Sequence, residues 1–490
     1  MRQSGILLPI ASLPSPWGIG TLGQAARDWV DFLAGAGVSC WQVLPVGPTS
    51  YGDSPYQSFS AFAGNPYFID LDQLAAEGLL QPGEYQGEDW GDNPGRVDYA
   101  KVYHSRRKVL WRAFQRAEEA GCLAEETAAW GAENKDWAED YALYMAVKER
   151  FAMVSWRQWP EDIAARRPEA LARWRRELER EVRFWTFVQV LFDRQWRELR
   201  KYARDRGVEL IGDMPIYVAE DGADVWSRPE LFRLTEDGGP QAVAGCPPDA
   251  FSETGQLWGN PLYDWEAHEA RGFDWWISRT RRMFRLFDMV RLDHFRGLEA
   301  YYAIPAEADT AVNGQWVKGP GMKLIRALRG ALGEVRLIAE DLGFLTPEVH
   351  TLLEESGYPG MRVLQFAFES EDNAYLPHRY VPGCVAYTGT HDNDTTAGWI
   401  ASLGEGPLAF CKEYLGLCRT PRAADLIRGA WGSVAELAVA PIQDFLELGS
   451  EARINTPSTL GNNWTWRLDG GALTPELRAG IQRLNQLYSR

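Results

Sequence analysis

Short apolar runs recur along the chain between stretches whose apolar residues have helical spacing. Most of these runs are apolar on both faces, as is typical of parallel strands that helices cover on both sides. Each run ends in polar, glycine or proline residues. The eight runs occupy residues 5–10, 40–45, 209–216, 289–295, 335–343, 361–368, 384–391 and 437–445. Eight strands alternating with helices predict a (β/α)8 barrel, also called a TIM barrel.

The uneven spacing of the runs predicts insertions in this barrel. Runs two and three lie much further apart than an ordinary strand-to-helix connection allows, and we expect large, mostly helical insertions after strands 2 and 3. Residues 46–205 are predicted to form a helical insertion subdomain, and residues 217–264 a long active-site loop with little regular structure. The whole chain, 1–490, is predicted as one catalytic domain without a separate C-terminal β domain. Helices are predicted at residues 23–37, 103–120, 136–151, 164–206 and 475–487.

Charge and cysteine content exclude several classes of protein. The net charge is −17, which argues against nucleic acid and anionic membranes as partners because both need clustered positive charge. The apolar run before Pro9 is too short for a signal peptide, and no stretch is long enough to span a membrane. Six cysteines without CxxC spacing indicate reduced thiols. A cytoplasmic location is the expectation.

Two further sequence features have a plain and a functional interpretation. The chain has 22 tryptophans, which fit a large aromatic core or flat platforms for sugar rings; composition alone favours the core. Residues 18–23 match GxGxxG, but they do not follow the first strand directly, and the second strand ends in QVLP without an acidic residue. A dinucleotide site needs both features, so we expect no cofactor.

Charged side chains follow four of the predicted strands, at the barrel end where active sites form. Alternation along the fourth strand points Arg291 and Asp293 the same way. Carboxyl groups brought together acquire different pKa values, which yields the protonated acid and the ionised nucleophile that retaining glycoside chemistry requires. The charged strand ends are Asp213, Arg291, Asp293, Glu340, Asp341, His391 and Asp392.

Several alternatives remain open on the residues alone. Arg291 and Asp293 by themselves fit a structural ion pair. A metal site is disfavoured because no histidines stand at ligand spacing, and we expect no metal. Alternation does not choose between Glu340 and Asp341, nor does the sequence choose between Asp392 and Asp394.

The motifs around these residues resemble those of a known family. The α-amylase clan signatures are matched by VRLDHF at 290–295, AEDLG at 339–343 and GTHDND at 389–394. The segments at 211–218 and 455–464, with DSPY at 53–56, narrow the resemblance to the amylomaltases, bacterial 4-α-glucanotransferases also called disproportionating enzymes. The resemblance spans residues 5–467, and its motifs occur in the expected order.

The resemblance implies a function and a role for each matching residue. It implies a retaining transferase that moves a segment of an α-1,4-glucan to the 4-hydroxyl of another glucan or glucose through a covalent glucosyl-enzyme. Implied partners are maltooligosaccharides, amylose or starch and glycogen-derived glucans, and glucose as acceptor. The implied catalytic residues are Asp293 as nucleophile, Glu340 as acid/base and Asp392 as transition-state stabiliser. The implied substrate-binding residues are Tyr56, Asp213, Asp249, Gln256, Trp258, Arg291, His294, His391 and Asn463, for which Asn462 is an alternative.

Two other functions compete with this interpretation. A hydrolase of the same clan uses the same carboxylates with water as acceptor, and a glycan-binding protein on a barrel scaffold needs no chemistry. The intact acidic set argues against the binding protein, because binding alone does not require carboxylates to be held together. The acceptor decides between transferase and hydrolase.

Overall fold

The computed structural model describes residues 2–248, 252–343 and 345–490. Eight parallel strands close a barrel in the order β1-β12-β11-β10-β9-β6-β3-β2, and four others form a sheet in the order β5-β4-β7-β8. The predicted TIM barrel is confirmed, with one barrel strand in each of the eight apolar runs. The strands are β1 (Gln3–Leu7), β2 (Cys40–Gln42), β3 (Glu209–Met214), β4 (Ala242–Cys246), β5 (Gln256–Pro261), β6 (Met289–Leu292), β7 (Ala300–Pro305), β8 (Gln315–Lys318), β9 (Leu337–Ala339), β10 (Gly360–Val363), β11 (Cys384–Tyr387) and β12 (Leu437–Pro441).

Helices surround the barrel and fill the long segment between β2 and β3. The predicted helices fall on α1, α3, α5, α7 with α8, and α18; the remaining helices were not predicted individually. The helices are α1 (Gln24–Gly35), α2 (Leu71–Ala76), α3 (Tyr99–Ala120), α4 (Ala124–Glu133), α5 (Ala138–Arg150), α6 (Glu161–Ala164), α7 (Pro168–Glu177), α8 (Glu179–Arg204), α9 (Ala223–Ser227), α10 (Trp265–Ala270), α11 (Asp274–Leu286), α12 (Met322–Leu332), α13 (Pro347–Ser356), α14 (Thr396–Ser402), α15 (Glu405–Tyr414), α16 (Ala423–Gly432), α17 (Ile442–Phe445) and α18 (Pro475–Tyr488).

The alternation of side chains along the barrel strands decides which ones reach the barrel interior. Met289 and Ile338 belong to the apolar cluster that fills the barrel. Arg291 and Glu340 follow each of them by two residues and therefore point inward as well, one layer nearer the carboxyl ends of the strands. Asp293 continues the same series just beyond β6. Apolar packing at the bottom of the barrel thus supports a charged layer at its mouth.

The insertion packs into the same core as the barrel. One continuous apolar cluster contains Trp41 of β2 together with Leu143 of α5 and Phe192 of α8. This shared core supports our proposal that residues 46–205 form a subdomain within one catalytic domain. None of the helices in the described ranges is long and apolar enough to cross a membrane.

The second insertion contains more regular structure than its sequence predicts. Residues 217–264 were expected to form a long loop, whereas β4 and β5 pair there as an antiparallel hairpin. The hairpin joins β7 and β8, which follow the fourth barrel strand, β6. The pairing is irregular between Val243 and Gly245, and such a bulge breaks the alternation that would otherwise mark a strand in the sequence.

Candidate active site

Arg291 lies at the centre of the charged layer at the barrel mouth. Its Nη1 donates to both carboxylate oxygens of Asp213, at 2.8 and 2.7 Å. Its Nη2 lies 3.2 Å from Oδ1 of Asp293 and 3.9 Å from Oε2 of Glu340. One buried guanidinium therefore joins carboxylates from three consecutive barrel strands, because the ends of adjacent parallel strands meet at one edge.

Backbone hydrogen bonds fix the carboxyl group of Glu340 beside Arg291. The backbone N–H of His294 donates to Oε2 of Glu340 at 2.6 Å, and that of Leu342 donates to Oε1 at 3.2 Å. His294 adopts φ 48, a left-handed conformation that is costly for a residue with a side chain. The turn after Asp293 therefore points the backbone N–H of His294 at Glu340, while the Asp293 carboxylate lies at the end of the strand.

The surroundings give Asp293 and Glu340 different affinities for protons. Burial raises the pKa of Glu340 well above its usual range, and the nearby Asp293 charge raises it further against the opposing effect of Arg291. Burial also raises the pKa of Asp293, but less, because Arg291 lies nearer to Asp293 and favours its ionised form. The site therefore supports a protonated Glu340 beside an ionised Asp293.

Asp392 is the third carboxylate at the mouth and the most exposed, with 46% of its side chain accessible. Nε2 of His391 lies 3.4 Å from its Oδ2, and Nδ2 of Asn455 donates to its Oδ1 at 2.6 Å. Burial alone would raise the pKa of Asp392, but the charge and hydrogen bond of His391 and the hydrogen bond from Asn455 hold it well below its usual value. Asp392 is therefore ionised at neutral pH.

Tyr56 links the insertion to the centre of the site. Its hydroxyl donates to Oδ2 of Asp213 at 2.9 Å, and its ring stacks on His391 with centroids 5.0 Å apart and 17° between planes. Asp213 itself is fully buried, and both its oxygens contact Arg291. The structure therefore places Asp213 behind Arg291, where it accepts two hydrogen bonds from the guanidinium; its part in substrate binding stays a prediction.

The hairpin of β4 and β5 forms one wall of the site. Trp258 meets the His294 ring edge-on with centroids 4.9 Å apart, and its Nε1 donates to Oε1 of Gln256 at 3.0 Å. Burial lowers the pKa of His294 to about 3, so the imidazole is neutral. Asp249 is a predicted substrate contact on this hairpin, and it lies outside the described residues.

The structure shows where the two alternative carboxylates, Asp341 and Asp394, lie. Asp341 points out of the barrel, where Arg362 and the backbone N–H of Met361 donate to it at 2.9 and 2.6 Å. Asp394 accepts from the Ser450 hydroxyl at 2.7 Å and holds the loop after β12. Neither one contacts Arg291 in the described structure, whereas Glu340 does.

The segment at 453–464 carries one predicted residue and two that the sequence analysis did not single out. Asn463 accepts from the backbone N–H of Thr456 at 3.0 Å and donates to the carbonyl of Thr459 at 3.0 Å, so its side chain braces its own loop. Asn455 and Arg453 contact Asp392 instead; Arg453 donates to the Asp392 carbonyl at 2.7 Å. Asn455 lies within the motif that carried the resemblance, but no periodicity marks a loop residue as a carboxylate partner.

Comparisons with known proteins agree with this geometry. Residues 8–474 match a family model described as 4-alpha-glucanotransferase, of glycoside hydrolase family 77. A 4-alpha-glucanotransferase of Streptococcus pneumoniae is 48% identical over 493 residues and covers 100% of this chain and 97% of that protein. One from Thermus thermophilus is 48% identical over 502 residues, covering 100% of this chain and 99% of that protein. The structure of amylomaltase from Streptococcus agalactiae in complex with acarbose superposes with a TM-score of 0.98 at 39% identity, covering 100% of both chains.

Proposed function

Because the chain belongs to the 4-alpha-glucanotransferase family, we propose that Asp293, Glu340 and Asp392 carry out its reaction. The protein is a retaining transferase that moves a segment of an α-1,4-glucan to the 4-hydroxyl of an acceptor through a covalent glucosyl-enzyme. One observation carries the assignment of residues: Arg291 contacts both Asp293 and Glu340 at the barrel mouth.

The first half of the reaction breaks the donor's glycosidic bond. Asp293 attacks the anomeric carbon while Glu340 protonates the departing glycosidic oxygen, so that the leaving chain departs with a free 4-hydroxyl. The product of this step is a β-glucosyl ester on Asp293 and an ionised Glu340. The raised pKa of Glu340 supports this role, because an acid must hold its proton at working pH.

The second half transfers the segment to its acceptor. Glu340 accepts the proton of the acceptor's 4-hydroxyl, whose oxygen attacks the anomeric carbon and releases Asp293. Asp392 stays ionised beside His391 and is placed to bind sugar hydroxyls as positive charge develops on the ring. Asp213 and Tyr56 act through Arg291, which they hold in place between the two reacting carboxyl groups.

Incubation with maltotriose tests transfer against hydrolysis. A transferase converts maltotriose into glucose and a ladder of longer maltooligosaccharides while the number of reducing ends stays constant. Hydrolysis instead raises the number of reducing ends and yields only shorter products. We expect glucose together with longer species; shortening alone would overturn the proposal that sugar is the preferred acceptor.

Shortening the connection between β4 and β5 is expected to shift the reaction toward hydrolysis. Transfer exceeds hydrolysis when an acceptor sugar displaces water from the glucosyl-enzyme. The β4–β5 hairpin lies beside the site, where Trp258 contacts His294, and can therefore limit the access of water. Replacing residues 247–255 with a two-residue turn should raise the ratio of new reducing ends to longer products several-fold. A deletion at the exposed residues 418–420 is the control, and an unchanged ratio in the hairpin variant would contradict this role.

Replacing Asn455 with alanine is expected to lower kcat by about 10- to 100-fold with a smaller change in KM. The side chain donates to Oδ1 of Asp392 at 2.6 Å, and losing that hydrogen bond leaves an exposed carboxylate free to turn away from the sugar. Asn455→Asp should lower kcat further and move the acidic side of the pH profile upward, because a second carboxylate raises the pKa of Asp392.

Gln443→Ala provides the matched control for Asn455. Its side chain donates to the carbonyl of Ala452 at 3.2 Å and braces the same loop without touching Asp392. Equal losses in the Gln443 and Asn455 variants would mean that loop order matters and the Asp392 contact does not. Kinetics on maltotriose across pH distinguish the two cases.

We propose that the donors are maltooligosaccharides and longer glucans derived from starch or glycogen, that glucose serves as an acceptor, and that the protein works in the cytoplasm. Among the described residues, Cys40, Cys122, Cys384, Cys411 and Cys418 are free thiols, which is consistent with a reducing compartment.

A further inference from the structure

The sheet formed by β5, β4, β7 and β8 lies at the barrel mouth, because both of its hairpins leave the carboxyl ends of barrel strands. Its pairing places Leu257, Gly245, Tyr302 and Trp316 opposite one another in a row across the four strands. Residues paired in this way point to the same face of the sheet. On this face a small apolar cluster contains Tyr302, while Leu257 and Trp316 are exposed.

Trp316 is exceptional among the tryptophans of the chain. All 22 lie in the described ranges, and Trp316 is the most exposed of them, with 40% of its surface accessible. Leu257 is 43% exposed and Val312, in the loop between β7 and β8, is 52% exposed. The largest exposed aromatic side chain therefore lies beside other apolar surface on the active-site face, an arrangement that marks interaction surfaces.

Neighbouring residues hold the indole in a fixed orientation. The Arg296 guanidinium lies over one face of the Trp316 ring, 3.7 Å from its centroid, and Tyr302 meets it edge-on at 5.1 Å. Arg296 is itself buried and is three residues from Asp293. A cation packed on one face of an indole leaves the opposite face for a ligand, and the ring is connected to the nucleophile through one short turn.

We propose that Trp316 is a stacking platform for an α-1,4-glucan that extends beyond the catalytic carboxylates. The faces of glucose rings that carry C–H groups are apolar and pack on aromatic rings, and a glucan is neutral, so the platform needs no countercharge. By ordinary strand spacing β8 lies about 14 Å from β5, the strand that carries Trp258. A short run of sugar residues spans that distance, and we therefore expect long glucans, and not a trisaccharide held at the cleavage point, to reach the ring.

This inference rests on the proposed function and is tested by substrate length. Trp316→Ala should raise KM for amylose about tenfold and leave KM and kcat for maltotriose unchanged, since covering one face of the ring corresponds to about tenfold in affinity. Trp316→Phe should retain most of the amylose affinity because it keeps an aromatic face. Val381→Ala is the control, since Val381 is 54% exposed and precedes the amino end of β11.

Each result separates the platform from its alternatives. Equal losses on amylose and maltotriose would mean that Trp316 serves only as a cover for Arg296, and unchanged kinetics on amylose would mean that no glucan rests there; either result overturns the proposal. Equal melting temperatures of the Trp316→Ala and wild-type proteins exclude unfolding as the cause of a raised KM. A wild-type protein that forms no longer species from maltotriose would contradict the proposed function instead, whatever Trp316 does.

Discussion

Replacing Asp293 with asparagine is expected to lower kcat on maltotriose by about 10⁴-fold or more. The amide of asparagine carries no charge and is a poor nucleophile, so the glucosyl-enzyme does not form. Arg291 keeps its two hydrogen bonds to Asp213 in this variant, and we therefore expect the fold to persist. Quantifying glucose release and the product ladder gives the loss, and thermal melting verifies the fold.

The control for this variant is Asp341→Asn. Asp341 follows Glu340 in the chain, but its carboxylate lies on the outer face of the barrel. Asp341 is fully buried and bound by Arg362 at 2.9 Å, so its replacement should lower the melting temperature and change kcat much less. A fluorinated glucosyl fluoride, which forms the ester quickly and loses it slowly, should add one sugar to a peptide containing Asp293. A label on another peptide, or an Asp293→Asn variant within tenfold of the wild-type kcat, would rule out Asp293 as nucleophile.

The barrel and the charged layer were predictable because they follow from alternation. A strand that buries Met289 in the barrel must also direct Arg291 inward, and the same two-residue period carries Asp293 to the mouth. The eight runs were visible because both faces of each barrel strand are covered by apolar residues. The sequence could not show that Glu340, and not Asp341, points into the barrel. The structure shows it, because Ile338 and not Ala339 packs in the barrel interior.

Other features depend on contacts between distant segments that no local pattern records. Tyr56 reaches Asp213 across 157 positions, and Asn455 reaches Asp392 across 63. The strands β4 and β5 were missed because a register shift near Gly245 and nearby prolines hide their alternation. The resemblance supplied the functional roles, while the structure showed that Asp213 is buried behind Arg291, a position that the sequence did not reveal.

Replacing Glu340 with glutamine is expected to lower kcat on maltotriose by about 10³-fold, within the usual contribution of a general acid. Glutamine is nearly isosteric, and its side-chain oxygen can still accept from the backbone N–H of His294, which makes the shorter of the two hydrogen bonds to Glu340, whereas the N–H of Leu342 loses its acceptor. In the wild type, activity should fall at high pH as Glu340 loses its proton and at low pH as Asp293 gains one. Both limits lie above the usual carboxyl range, because burial raises the pKa of each group.

A donor with a good leaving group separates the two halves of the reaction in this variant. The departure of fluoride from α-maltosyl fluoride needs little help from an acid, so Glu340→Gln should release one fluoride per protein molecule in a fast burst. Slow turnover should follow, because no base activates the acceptor, and a small anion such as azide, which needs no base, should restore it. Asp293→Asn should show no burst, since it lacks the nucleophile. The departure of fluoride requires the nucleophile but does not require an acid. A Glu340→Gln variant without a burst would therefore mean that Glu340 is not the acid/base.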